Sequence, residues 1–114
     1  MTYVKVGEQQ IEASITAKTV DHDWDRRESR AIKCALTNYE ALALFTDNVK
    51  WSIIDQPESY VDEDGNTVTP EAKEYDNSVY SVAGDVIDHR NGTVTIKMGK
   101  PTADELLAIL EGVM

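Results

Sequence analysis

Residues 21 to 30, DHDWDRRESR, crowd together more side chains capable of chemistry than any other stretch of the chain. Three aspartates alternate with His22 and Trp24, and Arg26, Arg27 and Glu28 follow at once. In an extended backbone Asp21, Asp23 and Asp25 point one way and His22 and Trp24 the other. Carboxylates aligned like this are ligands that a hard cation such as calcium takes. Zinc is poorly served, because only His89 and Cys34 stand elsewhere in the chain to join His22. Against a metal, these acids have arginines within local reach, and ion pairs are far commoner than sites with converging ligands. The stretch therefore reads as a charged corner between two strands. Asp23 and Asp25 are expected to pair with Arg26 and Arg27, and Trp24 to pack on the sheet rim.

A second acidic stretch, YVDEDGNTVTPE at 60 to 71, places Asp62, Asp64, Gly65 and Glu71 where a helix-loop-helix calcium loop needs them. Tyr60 occupies the first ligand position, where an aspartate is required. Thr67 replaces the usual aliphatic residue, Pro70 interrupts the loop, and no amphipathic helix leads in. Asp64-Gly65 is also what a tight reversal uses, so a turn is the expectation. Nucleophilic chemistry has no better footing. There is no G-x-S-x-G elbow and no glycine-rich phosphate loop. Cys34 lies within an alternating strand pattern as a small buried side chain, and His89 sits at a strand end beside a turn. No motif places a pair of carboxylates for acid-base work, and Trp24, Trp51, Tyr39 and Phe45 read as core and rim aromatics. Neither catalytic residue, metal nor cofactor is expected, and the chain is not read as an enzyme.

The elements that position these residues are mostly strands. TYVKV, GEQ and QIEASITAKTV form a hairpin turning near Gly7, with Ile11, Ala13, Ile15 and Ala17 alternating against polar residues. Ile32, Cys34 and Leu36 share one face of the next strand, and Val49, Trp51 and Ile53 one face of another. Asn91-Gly92 favours a two-residue turn, which sets Arg90 opposite Thr93, His89 opposite Val94 and Ile87 opposite Ile96. Gly84 inside that hairpin marks a bulge. Two helices begin with Thr-x-x-Glu capping boxes, Thr37/Glu40 and Thr102/Glu105. Ala41, Leu42 and Phe45 are expected to hold down the first. Leu106, Ile109, Leu110 and Val113 form an apolar stripe on the second, which is expected to cover an open end of the sheet. Residues 57–77 are a polar excursion, read as an exposed, mobile hairpin with its tip at Asp64-Gly65. The expected fold is α+β: a single domain over 1–114, an antiparallel barrel or sandwich of about six strands, and two short helices, the second C-terminal.

Composition narrows the function. Twenty-one acids against 11 bases give a net charge of −10, which disfavours a free-standing nucleic-acid binder and adsorption to anionic membranes. One cysteine excludes an intramolecular disulfide, the N-terminus has no apolar signal-peptide core, and no apolar run approaches membrane-spanning length.

The words DHDWDRRES, LTNYEALALFTDNVKWSI and SVAGDVIDHRNGTVTIKMGKPTADELLAIL resemble small prophage-encoded proteins from tail-morphogenesis regions of Gram-positive bacteria. The resemblance covers most of the chain apart from the acidic excursion. It brings no catalytic or ligand residues to carry over. It implies a non-enzymatic structural or tail-assembly role through protein-protein contacts, in the bacterial cytoplasm during assembly and then in the virion. Tail or assembly proteins, and further copies of the chain, are the expected partners. Trp24, Asp25, Arg27, Tyr60, Asp62 and Asp64 are the expected contact residues. The alternative is a small acidic regulatory or inhibitory binding protein that mimics nucleic acid on a basic partner.

Overall fold

The computed structural model describes residues 1–113, with all their side chains except those of Ile109 and 111–113. The chain is α+β, with β1 Thr2–Val6, β2 Gln9–Asp21, β3 Arg27–Cys34, α1 Asn38–Leu44, β4 Trp51–Asp55, β5 Tyr60–Val61, β6 Thr67–Val68, β7 Lys73–Asp76, β8 Val82–Asp88, β9 Val94–Gly99 and α2 Ala103–Val113. The six expected strands are β1 to β4, β8 and β9. The polar excursion supplies the other three, beyond the expected count.

Seven strands form one antiparallel sheet in the order β7-β4-β1-β2-β3-β9-β8, and β5 pairs only with β6. The long strand β2 organises the sheet. Its start, Gln9 to Glu12, pairs with β1 on one edge, and Ala13 to Asp21 pair with β3 on the other. Two staggered half-sheets therefore share β2 and close over one core. Val4 and Trp51 come from one half, and Ile32, Val94, Ile96 and Met98 from the other. Among the described residues no pairing joins β7 to β8, so the expected barrel is not closed. The alternation read along β2 holds through Ala13 and Ile15 and fails at Ala17, which is exposed.

Helix α1 fills the space between the halves. Thr37 Oγ1 accepts from the Glu40 amide, and Glu40 Oε1 accepts from the Thr37 amide, each at 3.1 Å. Ala41 and Phe45, one turn apart on the same helix face, are buried. The Phe45 ring meets Trp51 edge-on, with centroids 6.1 Å apart. Leu42, expected to help, is exposed because it lies about 100° round the helix from Ala41; Leu44 packs against the core instead.

The β8–β9 turn also departs from expectation. Asp88 pairs with Val94, so the loop has three residues, Arg90 to Gly92, and Val86 rather than Ile87 faces Ile96. Side-chain bonds favour the longer loop: Asp88 Oδ1 accepts from the Arg90 amide, and Asn91 Oδ1 accepts from the Thr93 amide and hydroxyl. The one-residue slip turns Ile87 outward. Gly84 sits at a shift in pairing between Ala83 and Val86, as a bulge requires.

Helix α2 starts from its capping box, with Thr102 and Glu105 bonded reciprocally. Its described leucines do not cover the sheet as expected. Leu106, Leu107 and Leu110 are 49%, 55% and 64% exposed, while Ile109 and Val113 fall outside the described side chains. Two parts of the chain thus stand off the body, the 56–72 arm and α2. The radius of gyration, 17.0 Å, exceeds the roughly 13 Å of a compact chain this long. No described helix is long and apolar enough to cross a membrane.

Candidate interaction surface

The corner DHDWDRRESR is folded, not extended. The Asp21 carbonyl accepts from the Trp24 amide at 3.1 Å and the Arg26 amide at 2.9 Å, closing a tight turn. Asp25 and Arg26 both adopt positive φ, at 55° and 59°. Two consecutive non-glycine residues in that region are uncommon and strained. The turn separates the three aspartates. Asp21 is fully buried, while Asp23 and Asp25 face solvent, so they do not converge on a cation. Among the described residues no group of three or more His, Cys, Asp or Glu is placed to hold a metal ion.

Asp21 instead anchors the strands. Its carboxylate accepts from the Ser29 hydroxyl at 3.0 Å, the Lys97 ammonium at 3.3 Å and the Asp23 amide at 3.1 Å. Burial pushes this carboxyl up, but the Ser29, Lys97 and Asp23 hydrogen bonds together with the Lys97 charge outweigh it and hold the group below its ordinary value.

Arg27 is the second buried charge. Its guanidinium stacks on the Trp24 ring, 4.4 Å from the centroid. Nη1 reaches Glu105 on α2 at 2.8 Å, and Nη2 reaches Asp25 at 3.4 Å. The expected Asp25–Arg27 pair is therefore present, while Arg26 forms no ion pair with Asp23 among the described residues. Trp24 lies over Gly84 on β8 and Gly99 on β9. A Cβ at Gly84 would stand 2.6 Å from Trp24 Cη2, and one at Gly99 2.6 Å from Arg27 Cδ and 2.8 Å from Trp24 Cζ3. Both glycines are vacancies for the indole and the arginine stem, which gives the Gly84 bulge its purpose.

Beside this corner sits a cluster the sequence does not announce. Tyr80 is buried, with Arg30 over its ring at 4.3 Å and Lys100 at 5.4 Å. Its hydroxyl donates to Glu28 Oε2 at 2.6 Å, and Lys100 reaches the same oxygen at 2.8 Å. The Lys100 ammonium and the Tyr80 hydroxyl hold the Glu28 carboxyl below its ordinary value. Fifty-two residues separate Tyr80 from Glu28; β9 brings them together by pairing with β3 on one side and with β8, which follows Tyr80, on the other. Trp51 joins the set through its indole N–H, which donates to the Tyr80 carbonyl at 3.1 Å.

The arm over residues 56 to 72 is braced from within. Gln56 Nε2 donates to the carbonyls of Pro57 and Pro70, at 3.2 and 2.9 Å. The hydroxyls of Ser59 and Thr69 lie 2.9 Å apart. Asp62 Oδ1 accepts from the amides of Asp64 and Asn66, and Gly65 turns the tip at φ 82°. The expected hairpin with its tip at Asp64-Gly65 is there. Tyr60 and Val61 are 55% and 67% exposed. The segment holds Glu58, Asp62, Glu63, Asp64 and Glu71 and neither lysine nor arginine. Asp62 and Asp64 thus shape and charge the tip, and the loop has no helix ahead of it.

The sheet edges are guarded against further pairing. Strand β7 carries Lys73, Glu74 and Asp76 on its exposed length. On β8 the Ala83 amide is capped by Asp47 Oδ1 at 2.8 Å, just before the Gly84 bulge. A shallow groove of about 530 Å³ beside β1 and β4 mixes Lys5 and Lys50 with Glu74 and Asp76. Neither the buried Cys34 nor His89, whose Nε2 lies 2.7 Å from the Thr95 hydroxyl, lines that groove. No family model, curated protein or solved structure matches the chain.

Proposed function

We propose that this chain is a non-enzymatic phage or prophage structural or tail-assembly protein that acts through protein-protein contacts. The observation carrying the proposal is the 56–72 arm. Internal hydrogen bonds fix its shape, yet it covers none of the chain's own core, and Tyr60 and Val61 stand exposed on it. A segment held in one shape loses less entropy when a partner binds it. Its base-free acidity directs it toward a cationic surface on that partner. The tail setting comes from the resemblance of the sequence words, with the cytoplasm during assembly and the virion as locations.

On this reading the corner of Trp24, Asp25 and Arg27 is chiefly a brace for the sheet end, and the arm residues Tyr60, Asp62 and Asp64 make the contact. The bent sheet is an opened barrel that meets its neighbours through these projections rather than through its guarded edges. A second reading, a small acidic protein occupying a basic site on a regulator, draws on the same arm. The two differ in where the chain is found. Purification of tail particles from an induced lysogen, with light scattering on the isolated chain, tests the first. Recovery of the chain with particles, in fixed ratio to a tail protein, is expected. A monomer that never accompanies particles overturns it.

A further inference from the structure

We infer that the outer face of β2, β3 and β9 is the seat for the acidic arm of a second copy of this chain. The inference rests on the reading that the chain works through its arm, and names the cationic surface that the arm meets.

Strand register builds the face. Ile15, Ile32 and Ile96 pair across the three strands and point into the core, so the alternate rows point outward. In those rows Lys33 stands between Ser14 and Thr95, Lys97 beside Ala31, and Lys18 beside Ser29. Each row carries one lysine, its other members are serine, threonine, alanine or glycine, and none is acidic. Lys97 is spent on the buried Asp21. Lys18 and Lys33 are exposed, and among the described residues neither forms an ion pair. Four strand residues separate their rows, on the order of 14 Å. Exposed acids bound the patch, Glu12 beyond Ser14 and Asp25 at the opposite corner.

The arm matches this face in charge and in spacing. Glu58, Glu63, Asp64 and Glu71 are exposed on it, and among the described residues no arm acid pairs with a base. Glu58 precedes the tip residue Asp62 by four positions, again roughly 14 Å along an extended chain. The small side chains around the lysines leave level ground for the exposed Tyr60 and Val61. Within one chain the arm leaves the sheet between β4 and β7, at the edge remote from β9. Arm and face are different surfaces, so the contact is head-to-tail, and repetition closes a ring or extends a filament. One hairpin on one face is less than a standard interface, so two isolated copies should bind with a Kd on the order of 100 µM, strengthened where several contacts act together.

Charge exchange tests this by sedimentation velocity of the whole chain over a concentration series. Wild type should associate as concentration rises through roughly 100 µM. The face variant K18E/K33E and the arm variant E58K/D64K should each weaken association tenfold or more, and an equimolar mixture of the two should restore it. The arm variant is also less negative overall, so general charge repulsion predicts tighter self-association for it, the opposite sign. The milder K18T/K33T, which suits a strand, should show the same loss as the face variant if the glutamates disturb folding.

A wild type that stays monomeric to about 1 mM overturns the inference. So does an arm variant that associates as well as wild type, or a mixture of the two folded variants that remains monomeric. Such a mixture, with a short single-stranded DNA bound by wild type and lost in K18E/K33E, would assign the face to phosphate instead. A monomeric wild type still recovered on tail particles removes self-docking and leaves the assembly reading standing. A self-associating chain absent from particles does the reverse.

Discussion

Gly84 gives the most informative perturbation. Its φ is not positive, so alanine is acceptable to the backbone, and the substitution alone stabilises by roughly 0.4–1 kcal/mol through the unfolded chain. Trp24 reverses that sign. The new Cβ would lie 2.6 Å from Cη2 and 2.8 Å from Cζ2, about 1 Å inside ordinary carbon contact. The indole cannot simply swing aside, because Arg27 stacks on it. Overpacking of this kind costs ~1–3 kcal/mol, so Gly84→Ala is expected to destabilise by about 1–2 kcal/mol net. At this chain length that is a fall of roughly 4–10 °C in melting temperature. In a Trp24→Ala background the obstruction is gone and the same substitution should be neutral or stabilising. Urea denaturation of the four proteins, with slopes checked for constancy, measures the cycle. The expected coupling is at least ~1 kcal/mol with a change of sign. Effects additive to within about 0.5 kcal/mol would refute the reasoning, because Gly84 would then not be there to admit Trp24.

Other outcomes follow from the buried polar groups. Asp21→Asn keeps the shape but leaves Lys97 without its anion, and should cost ~1–3 kcal/mol by chemical denaturation at pH 7. Because the folded-state pKa of Asp21 lies below its ordinary value, its stabilisation is complete above the unfolded-state pKa of about 4 and is lost as pH falls through the folded value. The gap between Asp21→Asn and wild type should therefore close in acid; a constant gap from pH 7 to pH 2 contradicts this. Burial pushes the Cys34 thiol up, so at pH 8 iodoacetamide should alkylate it at least ~100-fold more slowly in the native protein than in urea. Rapid native labelling, followed by mass spectrometry, would show that the α1 side of the core opens readily.

Local signals in the sequence served well where the structure answers to local causes. The two capping boxes, the Gly7 turn and the Asp64-Gly65 tip all depend on neighbours a few residues away. The alternation of Ile32 and Cys34 reports a half-buried strand for the same reason. Failures arose where two local rules competed or where distance decided. At Asn91-Gly92 a two-residue turn lost to a three-residue loop held by Asp88 and Asn91. Alternation also misplaced the aspartates of the corner, because a turn at Asp21 buries one and exposes two. The apolar stripe of α2 reports only that a face requires covering, and does not say that the same chain covers it. The set of Tyr80, Glu28, Arg30 and Lys100 was illegible because the pairing of β3, β9 and β8 assembles it from three distant segments.

The central claim is that the chain functions through its projecting acidic arm. The most direct test is recovery of the chain with tail particles from an induced lysogen, comparing wild type with the triple variant Tyr60→Ala, Asp62→Asn and Asp64→Asn. An asparagine side chain in place of Asp62 keeps the oxygen that accepts from the Asp64 and Asn66 amides, so the hairpin is expected to survive and the melting temperature to hold. Wild type is predicted on the particles, and the folded variant in the supernatant. Equal recovery of both, or absence of both, would contradict the claim.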